Sequence, residues 1–224
     1  MPRDRADSPQ VAANDLSNDE FDRLYGASAR RTPTDVAALL EGFPGTWWIS
    51  GGWALEAFTG VARDHHDVDP SLLAADLPLL RKHVAGRLDV WAVGTGALRA
   101  LLPDDRPDEP AESLLWDNEG QIWLRRDALS PWEYDIQLVP GTSREWVYRR
   151  DESFRMPLTD ALWERAGIRY LQPEIQLLYK AKGLRPKDQL DFDNTLPHLD
   201  DRRRTWLRSA LTATRPAHPW LDRL

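Results

Sequence analysis

The stretch from residue 47 to residue 69 constrains the fold more than any other part of the chain. Residues 47–50 (Trp-Trp-Ile-Ser) are typical of a short buried strand, the only Gly-Gly pair follows at Gly51-Gly52, and residues 53–58 have the composition of a helix. A second strand is predicted to begin at Asp67-Val-Asp69 and to reach Leu73. A strand, a glycine bend, a helix and a return strand form a compact α/β unit. The bend offers backbone N–H groups at a helix N-terminus, where phosphate oxygens bind.

Three aspartates are candidates for metal chemistry. Asp67 and Asp69 lie two residues apart at a predicted strand start, so their side chains project to the same face, about 7 Å apart. Such a pair can share a hard divalent cation such as Mg²⁺. Asp135 lies within an alternating strand of apolar residues, where a carboxylate needs a compensating group. Either a metal or a solvated strand face would compensate it, and Glu133 competes with Asp135 as the third acid.

Three stretches of the chain carry a resemblance to a known family, the first more specific than the other two. Gly51-Gly-Trp-Ala-Leu55, then Gly60, then Arg63-Asp-His-His-Asp-Val-Asp69 resembles the signature of antibiotic nucleotidyltransferases. These are the aminoglycoside and lincosamide adenylyltransferases of the DNA polymerase beta-like superfamily. Residues 146–151 and 173–188 are similar to bacterial homologues in this group, with weaker motifs.

The chain differs from the family pattern at several positions. Glu56 stands where the family has Asp, and the segment between Gly60 and Arg63 is one residue shorter. Pro70 stands where a β-branched residue is usual, and proline supplies no N–H to a sheet.

The resemblance implies a Mg²⁺-dependent adenylyltransferase. It would transfer a nucleoside monophosphate, with AMP from ATP expected, to a hydroxyl of a small molecule such as an aminoglycoside-like antibiotic. The resemblance implies that three residues bind the metal and carry out catalysis: Asp67, Asp69 and Asp135. The resemblance implies that five residues bind the nucleotide: Ser50, Gly51, Gly52, Arg63 and Lys182. The Ser-Gly-Gly turn would hold the phosphates, and the two cationic side chains would offset their charge.

Three other functions stay open at the level of sequence. A metal-dependent phosphohydrolase would use His65 and His66 with the aspartates. A nucleotidyltransferase-type toxin of a toxin–antitoxin pair would modify a tRNA or a protein. A non-catalytic nucleotide-binding module would retain the fold without the reaction.

The rest of the chain predicts an α+β fold. A mixed-sheet nucleotidyltransferase core with helices is expected over residues 34–150, after an N-terminal extension with a short helix over residues 1–33. A mostly helical C-terminal region is expected over residues 151–224.

The charge and composition of the chain limit the classes of binding partner that we expect. The net charge of −7 disfavours a general nucleic-acid binder, which usually carries a basic surface. Residues 104–119 hold seven acidic residues and one arginine, and they are either a solvated loop or an acidic lip that attracts a cationic molecule. No apolar run is long enough to cross a bilayer and no signal peptide is recognisable, so a cytoplasmic protein without membrane partners is expected.

Overall fold

The computed structural model describes residues 17–94, 97–102, 115 and 120–224. Residues 1–16 lie outside the described part of the chain. Apart from Leu115, so does the acidic segment 104–119, and with it the expected acidic lip.

The described residues alternate between helices and strands up to the middle of the chain and become richer in helix after it. The helices are α1 (Asn18–Tyr25), α2 (Pro33–Leu39), α3 (Gly51–Thr59), α4 (Leu77–Val84), α5 (Leu158–Ala161), α6 (Pro173–Lys180), α7 (Pro186–Thr195) and α8 (Asp201–Thr214). The strands are β1 (Trp47–Ser50), β2 (Asp69–Leu73), β3 (Asp89–Gly94), β4 (Ala97–Leu101), β5 (Gln121–Arg125), β6 (Tyr134–Val139), β7 (Glu145–Val147), β8 (Arg155–Pro157), β9 (Leu162–Arg165) and β10 (Ile168–Leu171). The predicted α+β class, with a mixed sheet and a helix-rich C-terminal region, is confirmed.

Eight strands form one mixed sheet in the order β4-β3-β5-β6-β2-β1-β10-β9. β2 is antiparallel to β1 and parallel to β6, while β10 is parallel to β1. The remaining strands, β7 and β8, pair as a separate antiparallel ribbon. Two strands that follow residue 150, β9 and β10, therefore extend the same sheet that carries the first half of the chain.

The sheet is covered on both faces. One hydrophobic cluster joins one face of the sheet to α2 and α4, through residues such as Val36, Leu80 and Ile136. A second cluster joins the opposite face to α6, α7 and α8, through residues such as Trp48 and Phe192. Because side chains alternate along a strand, Ser50 projects to the same face as Trp48. The C-terminal helices thus pack on the face that also carries the polar side chains described below.

Sequence signals explain several helix boundaries. Ser17 and Thr32 each accept a hydrogen bond from the backbone N–H three residues on, and the acid at that position bonds back. Both are capping boxes, which satisfy N–H groups that a helix start would leave unpaired. Gly60 ends α3 in a left-handed conformation with φ of 74°.

Two boundaries near the candidate site differ from prediction. β2 begins at Asp69, so Asp67 lies in the loop before the strand. α3 begins at Gly51, so the glycine pair forms the first turn of the helix and does not precede it. Among the helices in the described ranges, none is long and apolar enough to cross a membrane.

Candidate active site

Strand register brings two of the predicted carboxylates onto one face of the sheet. Ser50 of β1 lies opposite Asp69 of β2, and Ser71 of β2 lies opposite Gln137 of β6. Asp69 and Asp135 each lie two residues before that second pair, so their side chains project to the same face of neighbouring strands. Asp67 is exposed in the loop just before β2.

Pro70 does not interrupt this arrangement. It lies opposite Ile49 in an unbroken register that continues to Ser50 and Asp69. The strand therefore tolerates a residue that lacks an N–H, and Asp69 remains aligned with β1.

Electrostatics indicate that the three acids are close together. Burial, and next the Asp67 carboxylate, raise the pKa of Asp69 to about 6. Burial raises the pKa of Asp135 to about 7, against the lowering effect of a hydrogen bond from Gln121, and the Asp69 and Asp67 charges add to the rise. Burial thus disfavours the ionised forms of Asp69 and Asp135, and repulsion among the three carboxylates adds to this effect. Even so, the described ranges contain no group of three or more His, Cys, Asp or Glu residues arranged to hold a metal ion as they stand.

The two candidates for the third acid, Glu133 and Asp135, have different contacts. Glu133 accepts a hydrogen bond of 2.7 Å from Arg31 and lies 3.0 Å from the Arg126 guanidinium. It is committed to a structural ion pair. Asp135 instead shares a face of neighbouring strands with Asp69, so we keep it as the candidate third acid beside Asp67 and Asp69.

The glycine pair makes room for two charged side chains. A Cβ added to Gly51, whose φ is +69°, would lie 1.7 Å from Oδ2 of Asp69. A Cβ added to Gly52 would lie 1.7 Å from Nη2 of Arg63. Neither position can carry a side chain unless the charged group moves, since atoms this close overlap.

The backbone N–H of Gly51 is already engaged. It donates a 2.7 Å hydrogen bond to Oε1 of Gln176, a buried residue of α6. The expectation that this N–H is bare and ready for a phosphate is therefore not met. Sequence reasoning missed Gln176, although a polar residue on a helix that is otherwise mostly apolar could have indicated it.

Arg63, predicted to bind nucleotide, is anchored by the C-terminal helices. Its Nε donates to Oδ1 of Asp191 at 2.9 Å, and Lys180 Nζ lies 2.7 Å from Oδ2 of the same carboxylate. Lys180 also lies 3.4 Å from Asp188. These contacts join the loop before β2 to α6 and α7.

The cations that face the aspartates are not all the predicted ones. Lys180, Lys187 and Arg63 each lower the proton affinity of Asp69 through their charge. Lys182 instead lines a cavity of about 400 Å³ with Arg215, at the end of α6 and the C-terminus. Lys180 lies four residues after Gln176, one helical turn along the same face of α6, a spacing that could have predicted it.

The two adjacent histidines shape the loop. His65 Nε2 lies 2.8 Å from Glu56, and its ring stacks on Trp53 with centroids 4.1 Å apart. Burial lowers the pKa of His65. His66 is exposed and lies 4.0 Å from Asp64. His65 therefore has its partners on α3 and His66 has one in the loop, and neither contact involves Asp69 or Asp135.

Comparison with known proteins gives matches at the level of solved structures alone. No family model matches the chain, and no curated protein matches it in sequence. A lincomycin-bound lincosamide antibiotic adenylyltransferase, LnuA, is 17% identical with a TM-score of 0.48, over 77% of this chain and 99% of that one. The antibiotic-resistance factor ANT(2'')-Ia in solution is 16% identical with a TM-score of 0.49, over 82% and 91% of the two chains. The same enzyme in complex with adenylyl-2''-tobramycin is 16% identical with a TM-score of 0.48, over 81% and 95%.

Proposed function

We propose that this chain is a Mg²⁺-dependent nucleotidyltransferase that moves AMP from ATP onto a hydroxyl of a small molecule, with aminoglycoside-like antibiotics among the candidate acceptors. One observation carries the proposal. Asp69 and Asp135 lie on neighbouring strands, on one face, directly beside a glycine bend and facing cationic side chains. Nucleotidyl transfer needs these elements together: oxygen ligands for a cation, space at the backbone and positive charge for a triphosphate.

The carboxylates suit magnesium in number and in kind. Mg²⁺ is usually bound by one or two carboxylates together with substrate phosphates, and it prefers oxygen ligands. Asp69 and Asp135 supply two such groups, and Asp67 lies near enough to raise the pKa of both. When bound, the ion would offset the triphosphate charge and polarise the reacting phosphate.

Cations on the C-terminal side would hold the leaving phosphates. Lys187 and Lys180 oppose the rise in the pKa of Asp69, although Lys180 is buried in ion pairs with Asp188 and Asp191. A hydrogen bond to Asp188 raises the pKa of Arg185, and the charges of Asp69 and Asp67 add to that rise. Lys187 and Arg185 lie at the start of α7 and are exposed, so a triphosphate can reach them. Ser50, whose hydroxyl lies 2.9 Å from that of Ser71, borders the same space.

The reaction is a single in-line displacement. The acceptor oxygen forms a bond to the α-phosphorus while the bond from that phosphorus to the bridging oxygen breaks, and pyrophosphate leaves. Asp135 would take the proton of the acceptor hydroxyl. A carboxylate within reach of the acceptor hydroxyl can act as such a base.

The phosphohydrolase alternative receives less support. It needs histidines directed at the metal, whereas His65 is committed to Glu56 and stacks on Trp53.

The test is a pyrophosphate-release assay of the four nucleoside triphosphates with Mg²⁺, against a panel of hydroxyl-bearing antibiotics. We expect D67A, D69N and D135N to abolish release while the proteins remain folded by circular dichroism. Asp89, an exposed aspartate at the start of β3, provides the matched control D89N, which should behave as wild type.

Other outcomes identify the alternatives. Nucleotide binding without pyrophosphate release would favour the non-catalytic module. Release of phosphate without an acceptor would favour the phosphohydrolase. Full activity in D69N would refute the proposed site.

A further inference from the structure

Both carboxylate oxygens of Asp135 already carry hydrogen-bond donors. Nε2 of Gln121 donates to Oδ2 at 2.6 Å, and Nε2 of Gln137 donates to Oδ1 at 3.0 Å. Gln121 of β5 lies directly opposite Gln137 of β6, so all three side chains share one face of the sheet. Two amides therefore hold this carboxylate from two sides.

A third residue fixes the direction of one amide. Nη1 of Arg149 donates to Oε1 of Gln137 at 2.9 Å. A guanidinium has donors but no acceptor, so the amide oxygen of Gln137 must face Arg149 and its NH₂ group must face Asp135. The Arg149 guanidinium lies 5.6 Å from the ring centroid of Tyr179 on α6, which holds it in place.

We propose that Gln121, Gln137 and Arg149 are positioning residues that aim the Asp135 carboxylate at Asp69 and thereby set the affinity of this face for a divalent cation. The inference rests on the proposed function for the identity of the ligand. Each carboxylate oxygen has two lone pairs, so it can accept an amide hydrogen and bind a cation together. Groups that orient a metal ligand in this way typically change metal affinity by about 10–100-fold when they are removed.

The test measures Mn²⁺ binding to the full chain without nucleotide, by the electron paramagnetic resonance signal of the free ion. We expect Q121M and Q137M each to raise the dissociation constant by about 10-fold or more, since both remove a donor to Asp135. Gln172 makes a comparable contact with Arg203, 3.2 Å from Nη2, at the start of α6. Q172M is therefore the matched control and should bind Mn²⁺ within about twofold of wild type.

A double-mutant cycle tests whether Arg149 acts through Gln137. R149M alone should weaken Mn²⁺ binding and R149K should restore most of it, because lysine can still donate to the amide oxygen. In a Q137M background, R149M should have no further effect, since the group through which it acts is gone. Additive losses would mean that Arg149 acts by another route and would overturn that part of the inference.

The outcomes separate this inference from the proposed function. Mn²⁺ affinity unchanged in folded Q121M and Q137M, with pyrophosphate release intact, would overturn the inference alone. Weakened binding in both variants, with no transfer activity in wild type, would support the inference and count against the proposed reaction. A wild-type protein that binds no Mn²⁺ would overturn the inference.

Discussion

Replacement of Gly51 by alanine tests the geometry of the site most directly. Gly51 has a φ of +69° and its added Cβ would lie 1.7 Å from Oδ2 of Asp69. Gly86, after α4, has nearly the same φ of +73° with nothing within 4 Å of an added Cβ. G86A should therefore lower the free energy of unfolding only through the strained left-handed backbone, by about 1 kcal/mol. G51A introduces the same backbone strain and must also displace the Asp69 carboxylate.

The size of that displacement sets the expected effect on activity. Non-bonded heavy atoms approach to about 3.5 Å, so the Asp69 oxygen has to move by well over 1 Å. A misplacement of about 1 Å in a catalytic group can cost about 100-fold in rate. We expect G51A to lose at least about 100-fold in pyrophosphate release, whereas G86A keeps the wild-type rate.

Two measurements decide the outcome. Urea unfolding should show G86A destabilised by about 1 kcal/mol and G51A by about 2–4 kcal/mol, since overpacking adds to the backbone cost. Mn²⁺ binding should be weakened in G51A and unchanged in G86A. If folded G51A matches G86A in both rate and metal affinity, the close approach of the glycine to Asp69 has no functional role.

Three further predictions concern stability. Q176L removes the acceptor of the Gly51 N–H and should lower the free energy of unfolding by about 1–3 kcal/mol, measured by urea denaturation. K180M removes the cation 2.7 Å from the buried Asp191, which keeps Arg63 at 2.9 Å, and should cost about 1.5–3 kcal/mol in the same assay; a loss below about 0.5 kcal/mol would show that Lys180 is not needed for stability. For Asp135, a pKa raised from 3.8 to about 7 in the folded state means that its stabilising contribution is complete below pH 3.8 and is lost as pH rises through 7. In metal-free buffer the stability of D135N relative to wild type should therefore increase across that range, by about 2–4 kcal/mol, and a flat difference would contradict the burial of this carboxylate.

Local signals predict the parts of the fold that depend on neighbours in sequence. The capping boxes at Ser17 and Thr32 fix the starts of α1 and α2, because the bonds involved span three residues. The alternation of residues 132–139 predicts β6 and places Asp135 on its polar face. β9 and β10 were missed because they are four residues each and complete the sheet through a pairing with β1 more than a hundred residues away.

The residues of the candidate site also differ in whether local sequence predicts them. Asp67 and Asp69 are recognisable from their spacing and motif, which are local. The groups that complete the site are not, because they reach it by long-range packing: Gln176 bonds Gly51 across 125 residues, and Asp191 bonds Arg63 across 128.

The C-terminal helices therefore contact the candidate site directly. Through Gln176 on α6 and Asp191 on α7 they contact both glycine positions of the bend, the first directly and the second through Arg63. Asp69 lies beside Gly51, on the face of the sheet that it shares with Asp135. Burial raises the pKa of both carboxylates and their mutual repulsion adds to the rise, so the ionised pair is costly to hold together without a compensating cation. Under the proposed function, a bound cation and a triphosphate would relieve that cost.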